Sequence, residues 1–386
     1  MIETRFKKTE VGEIPEDWEV KAFTDICSLK HGFQFRDYHF SDTGIKIVKI
    51  GNLSYDGKLN FTKVSYIADK NFLYYSCFKL LKGDILMALT GATLGKCSIV
   101  LTDELLLQNY RVGNFINKRE CLKQYIYYLL NSKYIQNSFN NFVNQAAQPN
   151  IGKRDFDKMI VPVPPFPEQQ RIATALSNID TLLSAINKKI EKKKLIKQGA
   201  MQQLLTGKKR LAGFTEPWEE KMLGEILTIG NGRDYKHLRP GFIPVFGTGG
   251  VLSYVNDWLY DGETVCIGRK GTIDEPIYYN GKIWTVDTLF YTHLFIDSYP
   301  KFIYYLFQTI DWLMYNEATG VPSLSKINIY QIQVSIPTLS EQSAIATILS
   351  NMDKEIEALE AKRTKYTQVK QGMMQQLLTG RIRLVD

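Results

Sequence analysis

A chain of 386 residues is long enough for two or three domains, each with its own core. Apolar residues make up 44% and charged residues 23%, with 22 Tyr and 20 Phe, a balance that excludes long disordered tracts. The net charge is +8, and the five scattered cysteines (Cys27, Cys77, Cys97, Cys121, Cys266) contain no CxxC pair, which excludes a disulfide framework or a zinc cluster and points to buried free thiols.

In chain order, Met1 to Glu10 is polar and charged, without the apolar centre of a signal peptide. No stretch approaches the roughly 20 apolar residues that span a bilayer, so a cytoplasmic protein is expected. From Asp17-Trp18-Glu19 onward, short β-branched and aromatic runs alternate with Gly, Asn and Asp, and Gly83 to Leu94 reads as strand, tight turn and strand. One helix-like stretch follows, Cys121 to Phe142. Pro162-Val-Pro-Pro-Phe-Pro167 then stops a strand and opens a long helix that ends at Gly207. Its apolar residues Ile172, Leu176, Ile179, Leu183, Ile186 and Ile190 alternate steps of four and three, the seam of a coiled coil. A second globular stretch opens at Pro217-Trp218-Glu219, repeats the strand–turn–strand pattern over Gly262 to Ile273, and carries a helix-like stretch from Lys301 to Tyr315. After Ile336-Pro337 a second long helix runs to Gly380 with the seam Ile345, Leu349, Met352, Ile356 and Leu359.

The halves repeat one another. Gln198-Gly-Ala-Met-Gln-Gln-Leu-Leu-Thr-Gly207 returns as Gln371-Gly-Met-Met-Gln-Gln-Leu-Leu-Thr-Gly380, and Glu168-Gln169 returns as Glu341-Gln342, both at an offset of 173. Trp18 and Trp218 are 200 apart, so the second globular part is shorter by 27 residues. A helix of roughly 38 residues would be about 57 Å long and buries nothing alone. Each seam therefore predicts the other helix as its partner, antiparallel, with the globular parts at opposite ends. The fold class expected is α+β, with boundaries at 1–163 and 211–336 for the globular parts and 164–210 and 337–386 for the helices.

The charge is uneven: Glu168 to Arg210 holds ten cations against three acids, a net +7, leaving the remainder near neutral. Such a run reads as a solvated helix face or as an electrostatic footprint for a polyanion.

This arrangement, with Gln-Gln-Leu-Leu-Thr-Gly closing each helix, Pro-x-x-x-Glu-Gln opening each, a Trp starting each globular part, and the entry Lys7-Lys-Thr-Glu-Val-Gly-Glu-Ile-Pro-Glu-Asp-Trp18, resembles type I restriction–modification specificity subunits across the whole chain. The resemblance implies two target recognition domains, each reading one half of a bipartite, asymmetric site on double-stranded DNA. It also implies a paired helical spacer that docks two modification (methyltransferase) subunits, with restriction subunits joining the complex, and no cofactor of its own.

Three fragments approach catalytic motifs and fall short. Phe246-Gly-Thr-Gly-Gly250 is a lone glycine turn, and Val163-Pro-Pro-Phe166 has Val where an amino-methyltransferase needs a hydrogen-bonding side chain. Gly91 to Cys97 is one residue short of a phosphate loop and ends in Cys97 where Ser or Thr binds magnesium. His31, His39, His237 and His293 lack metal-ligand spacing. A non-catalytic DNA-recognition subunit is the reading preferred over a single-chain methyltransferase or nuclease and over a coiled-coil scaffold. Residue types that read bases or grip phosphates nominate Gln34, Arg36, Thr90, Gln108, Arg111, Gln148, Asn150, Lys153 and Arg154 in the first part, and Arg233, Tyr235, Lys236, Arg269, Lys270, Ser323 and Lys326 in the second. Thr90 aligns with Arg269 beside one turn, and Asn150 with Ser323 after prolines at the 173 offset.

Overall fold

A computed structural model of the chain describes residues 5–118, 120–143 and 150–385. Gln148 lies outside them. The chain divides into two compact units, Met1–Ala185 with Arg363–Asp386, and Ile186–Lys362. The long helices span Phe166–Leu204 and Leu339–Leu377, 39 residues each, and each contributes one part to either unit. Gly207 and Gly380 follow them at φ +67° and +71°, left-handed positions where a Cβ would be strained, and the chain folds back to bond the last turn.

Pairing is antiparallel within each unit. In the first, Asp180 bonds Lys370 at 2.6 Å and Glu168 bonds Arg383 at 2.8 Å, so ascending one helix descends the other. In the second, Asp353 meets Lys197 at 2.5 Å and Glu341 meets Arg210 at 2.7 Å. The expected seam is buried at Ile172, Leu176, Ile179, Ile186, Ile190, Ile345, Leu349 and Ile356, and half-buried at Leu183, Met352 and Leu359. Its ends also enter the globular cores: Ile172 and Leu176 pack with Trp18, Tyr125 and Leu377, and Ile345 and Leu349 with Leu204, Phe302 and Leu223.

The first globular part holds two four-stranded sheets. One orders Cys27–His31, Val112–Asn117, Ile85–Ala88 and Cys97–Ile99, all antiparallel. The other orders Ser65–Ile67, Ile45–Val48, Leu106–Gln108 and Lys79–Leu80. In the second part a single six-stranded sheet runs Thr228–Asn231, Leu289–His293, Tyr260–Gly268, Ile277–Thr285, Pro240–Gly247 and Gly250–Val255. Its first four strands repeat the order of the Cys27–His31 sheet, and its last two continue the same surface rather than forming a sheet apart.

Each globular part is tied to its own start by a short ladder, Glu19–Ala22 with Ile160–Val163 and Glu219–Met222 with Gln333–Ile336. The helix expected from Cys121 to Phe142 is two helices, Lys123–Leu130 and Lys133–Val143. Asn131 and Ser132 break it, because the Asn131 amide bonds back to Tyr127 O and the buried Ser132 hydroxyl accepts Ile135 N, competing with the helical ladder. The stretch from Lys301 likewise shortens to Pro300–Phe307 with a separate turn at Trp312–Tyr315. Four cysteines are buried as expected, with burial pushing the Cys121 and Cys266 thiols up to about 12, but Cys77 is exposed.

Candidate nucleic-acid interface

The repeated motifs build a joint that carries each globular part on the helices. Trp18 is fully buried and its indole N–H donates to Glu168 Oε2 at 2.9 Å. The same buried carboxylate accepts two bonds from Arg383, at 2.8 Å each, and Arg383 also grips Asp17 at 2.9 and 2.7 Å. Hydrogen bonds to Glu168, outweighing the cost of burial, raise the proton affinity of Arg383 further. In the second unit Arg210 makes the same fork on buried Glu341, two bonds of 2.7 Å, but Pro217 stands where Asp17 does and the Trp218 N–H finds no partner among the described residues.

The glutamines beside these acids act alike. Gln169 accepts Leu122 N at 2.8 Å and donates to Pro164 O and Glu120 O; Gln342 accepts Tyr299 N at 2.7 Å and donates to Pro337 O and Asp297 O. Each ties the start of its long helix to the loop that opens the globular part's own helix. About three turns further along each long helix, Tyr128 donates to Asp180 at 2.8 Å and Tyr305 to Asp353 at 2.7 Å, with burial first and the carboxylate second holding both phenols protonated. The Pro-x-x-x-Glu-Gln and Trp signatures are thus mechanical: they orient a sheet on a helix pair.

That sheet in turn aims two loops. Cys27–His31 and Thr228–Asn231 both end at a glycine crowded by backbone, where an added Cβ would lie 2.2 Å from Gln108 O at Gly32 and 1.9 Å from Val286 O at Gly232. Only glycine lets the chain pass there. The exposed Gln34 and Arg36 follow the first, and the exposed Arg233 and Lys236 follow the second, with Tyr235 half-buried against Trp284.

Beside them lies the turn that both units share. Thr90 bridges Asn150, and Lys270 bridges Ser323, each following a backbone bond of 2.9 Å, Ile151 N to Leu89 O and Leu324 N to Arg269 O. The register therefore matches Thr90 with Lys270 and Leu89 with Arg269, one residue away from the alignment read from sequence. A shift of one across a two-residue period is invisible when the flanking residues are Thr, Gly and Lys in either register.

In the first unit a cleft of about 350 Å³ opens here, lined by His31, Thr90, Tyr110, Arg111, Asn150 and Gly152 among others. It brings together three nominated residues, and Lys153 and Arg154 are exposed on the helix Lys153–Asp157 that follows. His31 lies within the loop Lys30 to Arg36 that the residue types single out, whereas Tyr110 carries no such signal in the sequence. In the second unit Arg269, Lys270, Ser323 and Lys326 gather at the matching place, with Arg269 and Lys326 both 5.9 Å from the Phe290 ring centroid.

Two nominations change. Gln108 is wholly buried and its amide donates to Lys30 O at 2.8 Å and Val112 O at 2.7 Å, so it ties strands instead of facing a ligand. Lys326 is half-buried and spends a bond on Ile229 O at 2.6 Å; burial first, then Arg269, lowers its proton affinity. The basic helix run is partly neutralised inside the second unit, where Lys193, Lys194 and Lys197 pair with Glu355, Glu360 and Asp353. That favours the solvated-face reading for those lysines.

The motif-like fragments take ordinary shapes. Gly247 pairs with Gly250 across a hairpin, so Phe246 to Gly250 joins two strands, and Gly91–Thr93 is a single 3-10 turn followed by the strand Cys97–Ile99. Among the described residues no three His, Cys, Asp or Glu gather into a metal-binding group, and no helix is long and apolar enough to cross a membrane.

Comparison with known proteins places this architecture. The family model for the type I restriction modification DNA specificity domain matches twice, over residues 15–195 and 215–368. A putative type I restriction enzyme MjaX specificity subunit of Methanocaldococcus jannaschii is 27% identical over 99% of this chain and 97% of its own length. The MjaVIII specificity subunit of the same organism is 35% identical over 53% of this chain, which spans about half (49%) of that relative. A crystal structure of a type I restriction–modification S subunit from M. genitalium shares the fold with a TM-score of 0.64 at 17% identity, covering 94% of this chain and 96% of that one. With the specificity domain matched once in each repeat, the chain belongs to the family of type I restriction–modification specificity subunits.

Proposed function

We propose that each globular part reads one half of an asymmetric, bipartite site on double-stranded DNA and that the chain delivers this site to separate subunits without catalysing a reaction itself. The observation that carries the reading is the contrast between joint and loops. Both units repeat the Glu–Gln–Arg joint, while Thr90, Arg111 and Asn150 in one and Arg269, Lys270 and Ser323 in the other put different side chains at one place in the fold. A shared joint suits a shared partner, and unlike loops suit unlike half-sites. The partners in this reading are two methyltransferase subunits docked on the helices, where Leu195 and Ile196 are exposed at 67% and 46%, with restriction subunits completing the complex in the cytoplasm.

Genome-wide methylation mapping of a host with and without this gene tests it. The expected result is a two-part, non-palindromic methylated motif that disappears with the gene. An unchanged methylation pattern, or methyl transfer by the purified chain alone, would overturn it.

A further inference from the structure

Resting on the reading above, we propose that Arg111 in the first unit and Arg269 in the second are the guanine-reading side chains of the two half-sites, each set in place by an aromatic ring. Arg111 is exposed at the edge of the cleft, and its Nε donates to the Tyr110 hydroxyl at 2.6 Å. Its guanidinium carbon lies 5.3 Å from the Tyr110 ring centroid. With Nε bound, the two terminal nitrogens remain as a fixed pair of donors, the geometry that meets guanine O6 and N7 together.

Arg269 is built similarly on different neighbours. Its guanidinium carbon lies 5.9 Å from the Phe290 ring, and Nη1 reaches Asp287 O at 3.5 Å. Holding an arginine in place before binding removes much of the side-chain entropy cost of binding.

The two arginines stand at different chain positions beside equivalent bridges. Leu89 N donates to Arg111 O at 3.0 Å, and Arg269 N donates to Thr288 O at 2.8 Å. Leu89 and Arg269 are register equivalents, so Arg111 and Thr288 are equivalents too. The first unit supplies the cation from the partner strand and the second from the turn itself, each next to the bridge Thr90–Asn150 or Lys270–Ser323.

Charge balance separates these arginines from the structural ones. Arg383 and Arg210 are satisfied by buried carboxylates, whereas among the described residues neither Arg111 nor Arg269 has a carboxylate partner. Near Arg269 the half-buried Lys326 has its proton affinity lowered by burial and then by that arginine, and no acid offsets either effect. An exposed guanidinium fork without a carboxylate lacks an acceptor that a ligand can bring. Phosphate contacts suit the exposed flexible cations on the rim, such as Lys153, Arg154 and Lys236.

The test uses the full chain assembled with its methyltransferase subunit, first to obtain the methylated motif and then to assay duplex oligonucleotides carrying it. Arg111→Ala and Arg269→Ala are each expected to lower discrimination at one guanine about 10- to 100-fold, in one half only, leaving the other half intact. Replacing that guanine by 7-deazaguanine, which deletes N7, should weaken the unmodified protein and leave the matching Ala variant indifferent. Tyr110→Phe, which keeps the ring and removes the hydroxyl, should relax only the first half, and by less.

The assignment is overturned if the variants keep the full motif, if both halves relax alike, if affinity falls equally for all sequences, or if a half contains no guanine. Should the unmodified complex show no motif that depends on this chain, the specificity reading itself fails instead.

Discussion

The two units share a joint and differ in what the joint carries. In both, a buried glutamate takes an arginine fork from beyond the end of the opposite helix, and the adjacent glutamine laces the helix start to the globular part. Above it the first unit divides its strands between two four-stranded sheets, while the second runs six strands in one. Inter-residue geometry is repeated where the helices must meet, and is free to vary where the loops face outward.

The joints are nonetheless unequal, and the inequality can be measured. Removing Arg210 by Arg210→Ala leaves buried Glu341 with no donor among the described residues, whereas Arg383→Ala leaves Glu168 still accepting from Trp18 Nε1 and Leu384 N. Arg383→Ala is expected to cost about 2–3 kcal/mol, and Arg210→Ala more, since only the second orphans a buried carboxylate. Hydrogen exchange read separately on each unit, in the full chain, checks the order; a larger loss in the first unit would break the comparison.

A smaller effect sharpens it. Trp18→Phe deletes a bond to a buried charge and should destabilise the first unit by about 1–3 kcal/mol. Trp218→Phe deletes an N–H that has no partner among the described residues and should stay within about 0.5 kcal/mol of the parent. Equal costs in denaturant unfolding would show that the indole N–H does not distinguish the joints.

The smallest effect depends on pH. His293 pairs across the ladder with Thr228, where the first unit has Ile116 opposite Ser28. Burial, then Lys326, lowers the imidazole's proton affinity, while the rings of Tyr260 and Tyr291 lie against it. The folded state thus binds fewer protons than the unfolded one, so this contribution is full above the ordinary imidazole pKa and is lost as pH falls below it. Exchange protection around Leu289–His293 should decline as pH drops below 6.5, and His293→Gln should flatten the decline; the strand Val112–Asn117 should show no such response. A decline of equal size in both strands would remove histidine as the cause.

The repeat, the two long helices with their glycine stops, and the seam from Ile172 to Ile190 are legible in the residues, because periodicity and capping are local and a duplication is visible in letters alone. The residues also point to the loops around Arg36, Thr90 and Arg269. Folding alone brings Glu168 to Trp18 and Arg383, partners 150 and 215 residues away, since no spacing rule encodes a contact at that range. It likewise decided that Gln108 is interior and that Thr90 corresponds to Lys270: burial and strand register are set by what packs on the other face, which a single strand's residues do not contain.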